Sequence, residues 1–303
     1  MEQRLTESSS GESELLPHCQ QLDSGLSVPS FIDVEWLKRM KDEVKPRQDD
    51  IWIVTYPKSG TTWTQQIIRL ILNRGGNDGK LLSEVIPFVE GVNPKLPGYN
   101  KSLNLDEMAS PRAFKSHFPY DQMPCGPPNA TPGKYIYVVR NPKDVLVSLH
   151  IHVSAIPFLV KMEWDDYYEQ FLLGDVGFGN YFDNVLSWWA HKDDDNVLFL
   201  KYEDMKKDLP SAVATIAKFI GQDISKKLVE EIAHRTTFEN MKKDSSANYE
   251  WMNHIHRDNL NPYVRKGEVG GWKDYFNPEQ AAKLDAVYQT RFKAVGLELE
   301  FQM

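Results

Sequence analysis

The segment Tyr56-Pro57-Lys58-Ser59-Gly60-Thr61-Thr62-Trp63 has the composition of a turn that grips an anion. Gly60 lets the backbone approach closely, and Thr61 and Thr62 place hydroxyls beside amides that would open a helix. Lys58 is a point charge able to follow a bridging oxygen as it becomes negative. The signature GxxxxGK[ST] of nucleoside triphosphatases is absent, because here the lysine precedes the glycine, and no acidic pair stands out to hold magnesium. The segment therefore reads as a phosphate site outside the metal-dependent kinases, or as an ordinary turn with a solvated lysine. Arg140 and Ser148, about two helical turns apart, could hold a terminal phosphate through a guanidinium fork and a hydroxyl. Arg140 is equally spaced to pair with Asp144. Arg265-Lys266-Gly267 adds two cations on a loop that is otherwise a solvated segment.

The surrounding elements are those of an α/β fold. Ile51 to Thr55 is a continuously apolar run, as expected of a strand buried on both faces, and Trp63 to Leu72 follows as a helix. This strand–loop–helix unit is where parallel α/β folds bind phosphate. A second unit begins at Tyr135 to Val139 and turns through Arg140-Asn141 into a helix with Pro142 at its first position. A third strand spans Val197 to Leu200, before Tyr202-Glu203-Asp204 and a helix around Ser211 to Ile220 that closes at Gly221. Residues 225–234 and 278–293 carry helix signals, Asn277-Pro278 opening the latter, and Asp33 caps a helix whose apolar face is Val34, Trp36, Leu37 and Met40. Residues 240–275 are polar, aromatic-rich and weakly periodic, as in a lid. Residues 1–26 read as a flexible leader and 27–303 as a single domain: a central parallel sheet flanked by helices around a phosphate loop.

Three ordered segments resemble the cytosolic sulfotransferase family: TYPKSGTTW over 55–63, YVVRNPKDVLVS over 137–148 and VRKGEVGGWK over 264–273. The resemblance spans roughly residues 30 to 300. It implies 3′-phosphoadenosine 5′-phosphosulfate (PAPS) as donor, with 3′-phosphoadenosine 5′-phosphate (PAP) as product. It assigns Lys58, Ser59, Gly60, Thr61 and Thr62 to the 5′-phosphosulfate. Arg140, Ser148, Arg265, Lys266 and Gly267 then meet the 3′-phosphate. Trp63 would stack on adenine with Phe238 opposite and Tyr202 and Thr236 at its edge, although a lone tryptophan on a helix is ordinarily core. Phe114-Lys115-Ser116-His117 matches the Lys-(Thr/Ser)-His segment in which the histidine is the general base. A hydroxyl attacking sulfur must lose its proton, and a histidine titrates near neutrality. Lys58, Lys115 and Ser148 would offset charge in a loose, in-line transfer without a covalent enzyme intermediate. Two departures stand out. Gly271 replaces the aspartate of RKGxxGDWK, which would loosen that loop, and after Lys273 the KxxxTVxxxE dimer motif keeps only its lysine. Monomer and homodimer both stay open.

Composition bounds the partners. The chain has 303 residues and a net charge of −8, so a nucleic-acid partner is disfavoured. Cys19 and Cys125 are the only cysteines, which suits a reducing compartment. No apolar run approaches the ~20 residues that span a bilayer, so a cytoplasmic protein without membrane attachment is expected. The acceptor is expected to be a small hydroxylated molecule in a largely apolar pocket, with Phe88, Phe118, Ile151, Phe158, Tyr249 and His254 as candidates. The remaining histidines read mostly as surface or core residues. His150-x-His152 and His254-x-His256 could bind metal, but no Cys or HExxH cluster supports that, and no metal is expected. The competing readings are a nucleotide kinase, a binding protein that kept the pocket without turnover, and a membrane-anchored carbohydrate sulfotransferase.

Overall fold

The computed structural model describes residues 19–91, 105–157, 159–259, 261 and 263–303. A short hairpin opens the described chain, with β1 (Cys19–Gln21) antiparallel to β2 (Ser27–Pro29). Residues 19–26 are therefore paired chain and turn rather than leader, because Leu26, Val28 and Phe31 are buried in the core. Helix α1 (Val34–Glu43) starts on Asp33, whose carboxylate accepts from the Glu35 and Trp36 amides.

Four parallel strands form the central sheet: β3 (Ile51–Thr55), β4 (Ala113–Ser116), β5 (Lys134–Val139) and β6 (Val197–Lys201), in the order β4-β3-β5-β6. Side chains of β3 and β5 alternate between two cores. Trp52, Val54, Tyr135 and Tyr137 face an aromatic layer with Trp188, while Ile51, Ile53, Ile136 and Val138 face an aliphatic one with Ile67 and Ile216. Helix α2 (Thr61–Leu72) follows β3; α3 (Leu82–Val85) precedes β4; α4 (Pro142–Ala155) follows β5. Helices α5 (Trp164–Leu173) and α6 (Tyr181–Trp189), neither signalled in the sequence, cover the aromatic face. Then come α7 (Tyr202–Lys207), α8 (Leu209–Phe219), α9 (Lys226–Arg235), α10 (Phe238–Lys243) and α11 (Pro278–Arg291). The expected stop and start residues act as expected. Asn141 caps α4 by accepting from the Asp144 amide, and Asn277 and Gln280 form a capping box on α11. Between α10 and α11 the described residues form only 3₁₀ turns.

Strand order turns back on itself between β3 and β5, first to β4 and then across to β5. In open parallel sheets a crevice at the carboxyl ends of such strands is the natural ligand site. Thr55, His117 and Arg140 all leave the sheet at that edge.

Candidate active site

The turn from β3 into α2 is held in an uncommon backbone conformation. Lys58 has φ of 71° and Gly60 has φ of 110°. A Cβ at Gly60 would meet the Tyr202 ring at 2.9 Å, so this glycine answers both a dihedral and a steric need. The hydroxyls of Thr55 and Thr61 bond at 2.7 Å. The opening amides of α2 therefore face a cleft of about 490 Å³ at the ends of β3 and β5.

Most of the sequence candidates line this cleft: Lys58, Gly60, Thr61, Thr62, Trp63 and Lys115, then His117, Arg140, Ser148, Tyr202, Thr236 and Phe238, and the loop Arg265, Lys266 and Gly267. Ser59 does not; its side chain is buried and its hydroxyl has no hydrogen-bond partner. Trp63 is neither loose nor plain core. Its indole Nε1 donates to the Thr236 carbonyl at 2.7 Å, and its ring meets Tyr202 edge-on at 5.2 Å. Phe238 lies directly under Gly267, where a Cβ would come within 2.4 Å of its ring.

Arg140 combines both of its sequence alternatives. It stands 3.7 Å from Asp144, and its guanidinium also donates to the Lys58 carbonyl at 3.3 Å and the Glu268 carbonyl at 2.7 Å. Its Nε is buried without a partner, a donor left for a ligand. Asp144 accepts from the Gly270 and Trp272 amides at 2.9 and 3.0 Å, which ties the loop to α4 on both sides of Gly271. That loop is thus anchored although Gly271 has no carboxylate. Lys206 also lines the cleft and donates to the Gly267 carbonyl. It had no sequence signal beyond following Tyr202 on a short amphipathic turn.

A second cavity, of about 130 Å³, adjoins the cleft, and Pro57, Lys115, His117, His152 and Tyr263 line both. His117 Nδ1 lies 2.8 Å from the Thr55 carbonyl, which can only accept, so Nδ1 carries the proton and Nε2 keeps its lone pair. Burial, then Lys115 and Lys58, hold its pKa well below the usual histidine range. Burial lowers Lys58 to about 7, helped by Lys115, Arg140 and Arg265. Burial likewise lowers Lys115 to about 8, against the opposing charge of Glu90. Glu90, fully buried, accepts from the Ser116 hydroxyl and from the His117 amide at 3.3 Å, and burial raises it to about 7. Desolvated cations gathered at one point favour an anion there.

The residues expected around an acceptor divide. Phe88 and Tyr249 line the second cavity. Phe118 is buried in the core instead, Ile151 sits on another face of α4, and His254 is exposed. Phe158 lies outside the described residues. The α4 residues that do line it, Leu149, His152 and Val153, with Ile156 at the C-cap, follow the helical period. His152 is therefore not the surface or core histidine expected from sequence. Phe178 carries no signal in the sequence; it has φ of 60° between two glycines and packs edge-on against His117 at 5.1 Å. His150 and His152 diverge, His150 Nε2 donating to the Met162 carbonyl at 3.0 Å. Among the described residues no group of three or more His, Cys, Asp or Glu is gathered as for a metal ion.

The profile of the sulfotransferase domain matches residues 48–296. The chain belongs to the sulfotransferase family. An amine sulfotransferase of Oryctolagus cuniculus is 39% identical over 280 residues, 89% of each chain. The crystal structure of retinol dehydratase with androsterone and the inactive cofactor PAP superposes with a TM-score of 0.78 at 27% identity, over 92% of this chain and 90% of that one. A mouse sulfotransferase complexed with PAP gives 0.70 at 32% identity, over 90% and 93%. The protein is thus a PAPS-dependent sulfotransferase, a single α/β domain on the fold that holds PAP in these neighbours. Among the described residues no helix is long and apolar enough to cross a membrane.

Proposed function

We propose that this sulfotransferase moves the sulfuryl group from PAPS to a hydroxyl or amine of a small, largely apolar acceptor, with His117 as general base. One observation carries the reading. His117 stands where the cationic cleft meets the apolar cavity, and its Nδ1 is committed to Thr55, which leaves Nε2 free to take a proton. The residues suit the donor. Arg140 has an orphaned buried Nε, the Gly60 turn admits a close anion, and Lys58 and Lys115 are desolvated cations.

PAPS, when bound, supplies an activated sulfuryl group on a phosphate leaving group. Lys58, Thr61, Thr62 and the first amides of α2 would hold the 5′ end, and Arg140, Ser148, Arg265, Lys266 and Gly267 the 3′-phosphate. Trp63 and Phe238 would flank the base, with Tyr202 and Thr236 at its edge. His117 takes the acceptor proton as the new bond to sulfur forms. Lys58 and Lys115 offset charge that shifts onto the leaving oxygen. Loop 264–273 would act as part of a lid, tethered through Asp144, Arg140 and Lys206. The amine sulfotransferase relative supports an amine as well as a hydroxyl nucleophile. We place the protein in the cytosol.

The test is thermal stabilisation followed by turnover. PAP should raise the melting temperature without added magnesium, and ATP, lacking a 3′-phosphate, should do much less. Equal stabilisation by ATP counts against the donor. Labelled PAPS with an acceptor panel then compares wild type with His117→Ala; wild-type turnover by the variant would remove His117 as base.

A further inference from the structure

The junction of the two cavities holds a second histidine that the transfer chemistry above does not use. His152 lines both the cleft and the smaller cavity, as His117 does. It lies one turn beyond Ser148 and one turn before Ile156, so one face of α4 runs from the nucleotide side into the acceptor side. Its Nδ1 is buried and has no hydrogen-bond partner. The Tyr263 ring packs edge-on against the imidazole at 5.1 Å and orients it. Burial, then Lys58, His256, Lys115 and His117, keep its pKa well below the usual histidine range, so it is neutral and offers one donor and one acceptor. A buried, unsatisfied polar atom is costly, and the ring that carries this one borders both cavities.

Two further observations narrow the acceptor. The cavity behind the junction is apolar, with Phe88, Leu149, Val153 and Phe178 on its walls. Its volume of about 130 Å³ is near the ~150 Å³ of an engineered cavity that holds benzene. A single ring fits. The reacting atom must reach His117, so a group that meets His152 at the same junction is carried close to that atom.

We infer that His152 is a specificity-determining residue that hydrogen-bonds a polar group on the carbon next to the reacting one, so that the favoured acceptor is a single ring with two vicinal hydroxyls, a catechol. This rests on the sulfuryl-transfer reading above. The reacting hydroxyl gives its proton to His117 while its oxygen bonds sulfur and the bond from sulfur to the phosphate oxygen breaks. The neighbouring hydroxyl keeps its proton and pairs with the His152 ring.

The experiment measures kcat/KM with labelled PAPS for 4-methylcatechol and 4-methylphenol in wild type, His152→Phe and His152→Gln. Wild type should favour the catechol by about tenfold, the worth of one satisfied hydrogen bond, beyond the statistical advantage of a second hydroxyl. His152→Phe, which fills the space without a donor or acceptor, should bring the ratio close to the statistical one. His152→Gln, which keeps both functions, should lie between them. Both rings are assayed on the same preparation, so a loss of folded enzyme cancels from the ratio. The inference is overturned by a wild-type ratio near the statistical value, by a ratio that His152→Phe leaves intact, or by a glutamine variant no more selective than phenylalanine. Turnover of neither ring by a protein that PAP still stabilises also overturns this acceptor class and leaves the donor standing. A protein that PAP does not stabilise removes the donor reading itself.

Discussion

The cleft and the smaller cavity share five lining residues but are built in opposite ways. The cleft grows from two strand-to-helix turns. Its lining is cationic and is shaped by local backbone conformation, such as the positive φ of Lys58 and Gly60. The cavity has fewer such backbone devices, Phe178 and Tyr249 each standing at φ of 60°. Its walls are single side chains from β2, α4, the turn before β4 and the segment between α10 and α11. Charge differs as well. Several cations crowd the cleft, while the cavity is mostly aromatic and aliphatic. A site made of backbone geometry recognises one ligand and tolerates little change, whereas a site made of scattered side chains can be retuned residue by residue.

If the halves are separable, substitutions should divide between nucleotide affinity and acceptor turnover. The largest effect is expected at their meeting point. His117→Ala should lower kcat by on the order of 10²- to 10⁴-fold, while PAP continues to raise the melting temperature; a parallel loss of PAP stabilisation would blur the division. Next comes Arg140→Lys, which removes the fork and its orphaned Nε. Calorimetric PAP Kd should rise by about 10- to 100-fold, and an unchanged Kd would take Arg140 out of the site.

The pH dependence belongs to two cations of the cleft, of which Lys115 also borders the smaller cavity. In the free protein Lys58 and Lys115 are lowered to about 7 and about 8, so at pH 8 much of this pair is neutral. An anion restores their protons, so PAP binding at pH 8 should take up roughly one proton, falling toward zero at pH 6, where both are already charged. Affinity accordingly weakens as pH rises through this range. Calorimetry in buffers of different ionisation enthalpy measures the uptake, and proton release would contradict the assignment.

Smaller effects follow on the acceptor side. Phe178→Leu removes the ring edge against His117 and should raise acceptor KM by about 3- to 10-fold with PAP affinity kept. A change in PAP affinity instead would join the two halves. Gly271→Asp should be the mildest, within about threefold in PAP Kd, because Asp144 already holds the flanking amides and the nearest atom to an added Cβ is Glu268 Oε2 at 4.0 Å. A much tighter Kd would mean that the loop in fact lacks an anchor.

Much of the cleft was legible because its determinants are contiguous. Apolar runs at 51–55 and 135–139 became β3 and β5, and the caps at Asp33, Asn141 and Asn277 opened their helices. Other features carried no local signal. Asp50 ends the polar run KPRQDD over 45–50, yet it is fully buried against Arg112 with bonds of 2.7 and 2.6 Å. Strand β4 has four residues and a lysine within it, so its period is lost, although it delivers Lys115 and His117 to the junction. Of the residues expected around an acceptor, Phe88 and Tyr249 line the smaller cavity; Ile151 and His152 are neighbours in sequence, but only the second lines it.

The sequence by itself determined the strand–turn–helix units, the family and most of the residues that line the cleft, because backbone conformation and short-range spacing encode them. Only the tertiary structure decided which side of α4 faces the smaller cavity, that Glu90 lies behind His117, and that His152 shares its junction. Those relations depend on side chains far apart in the chain that are brought together when the helices pack on the sheet, and the desolvation that shifts their protons exists only once that packing is complete.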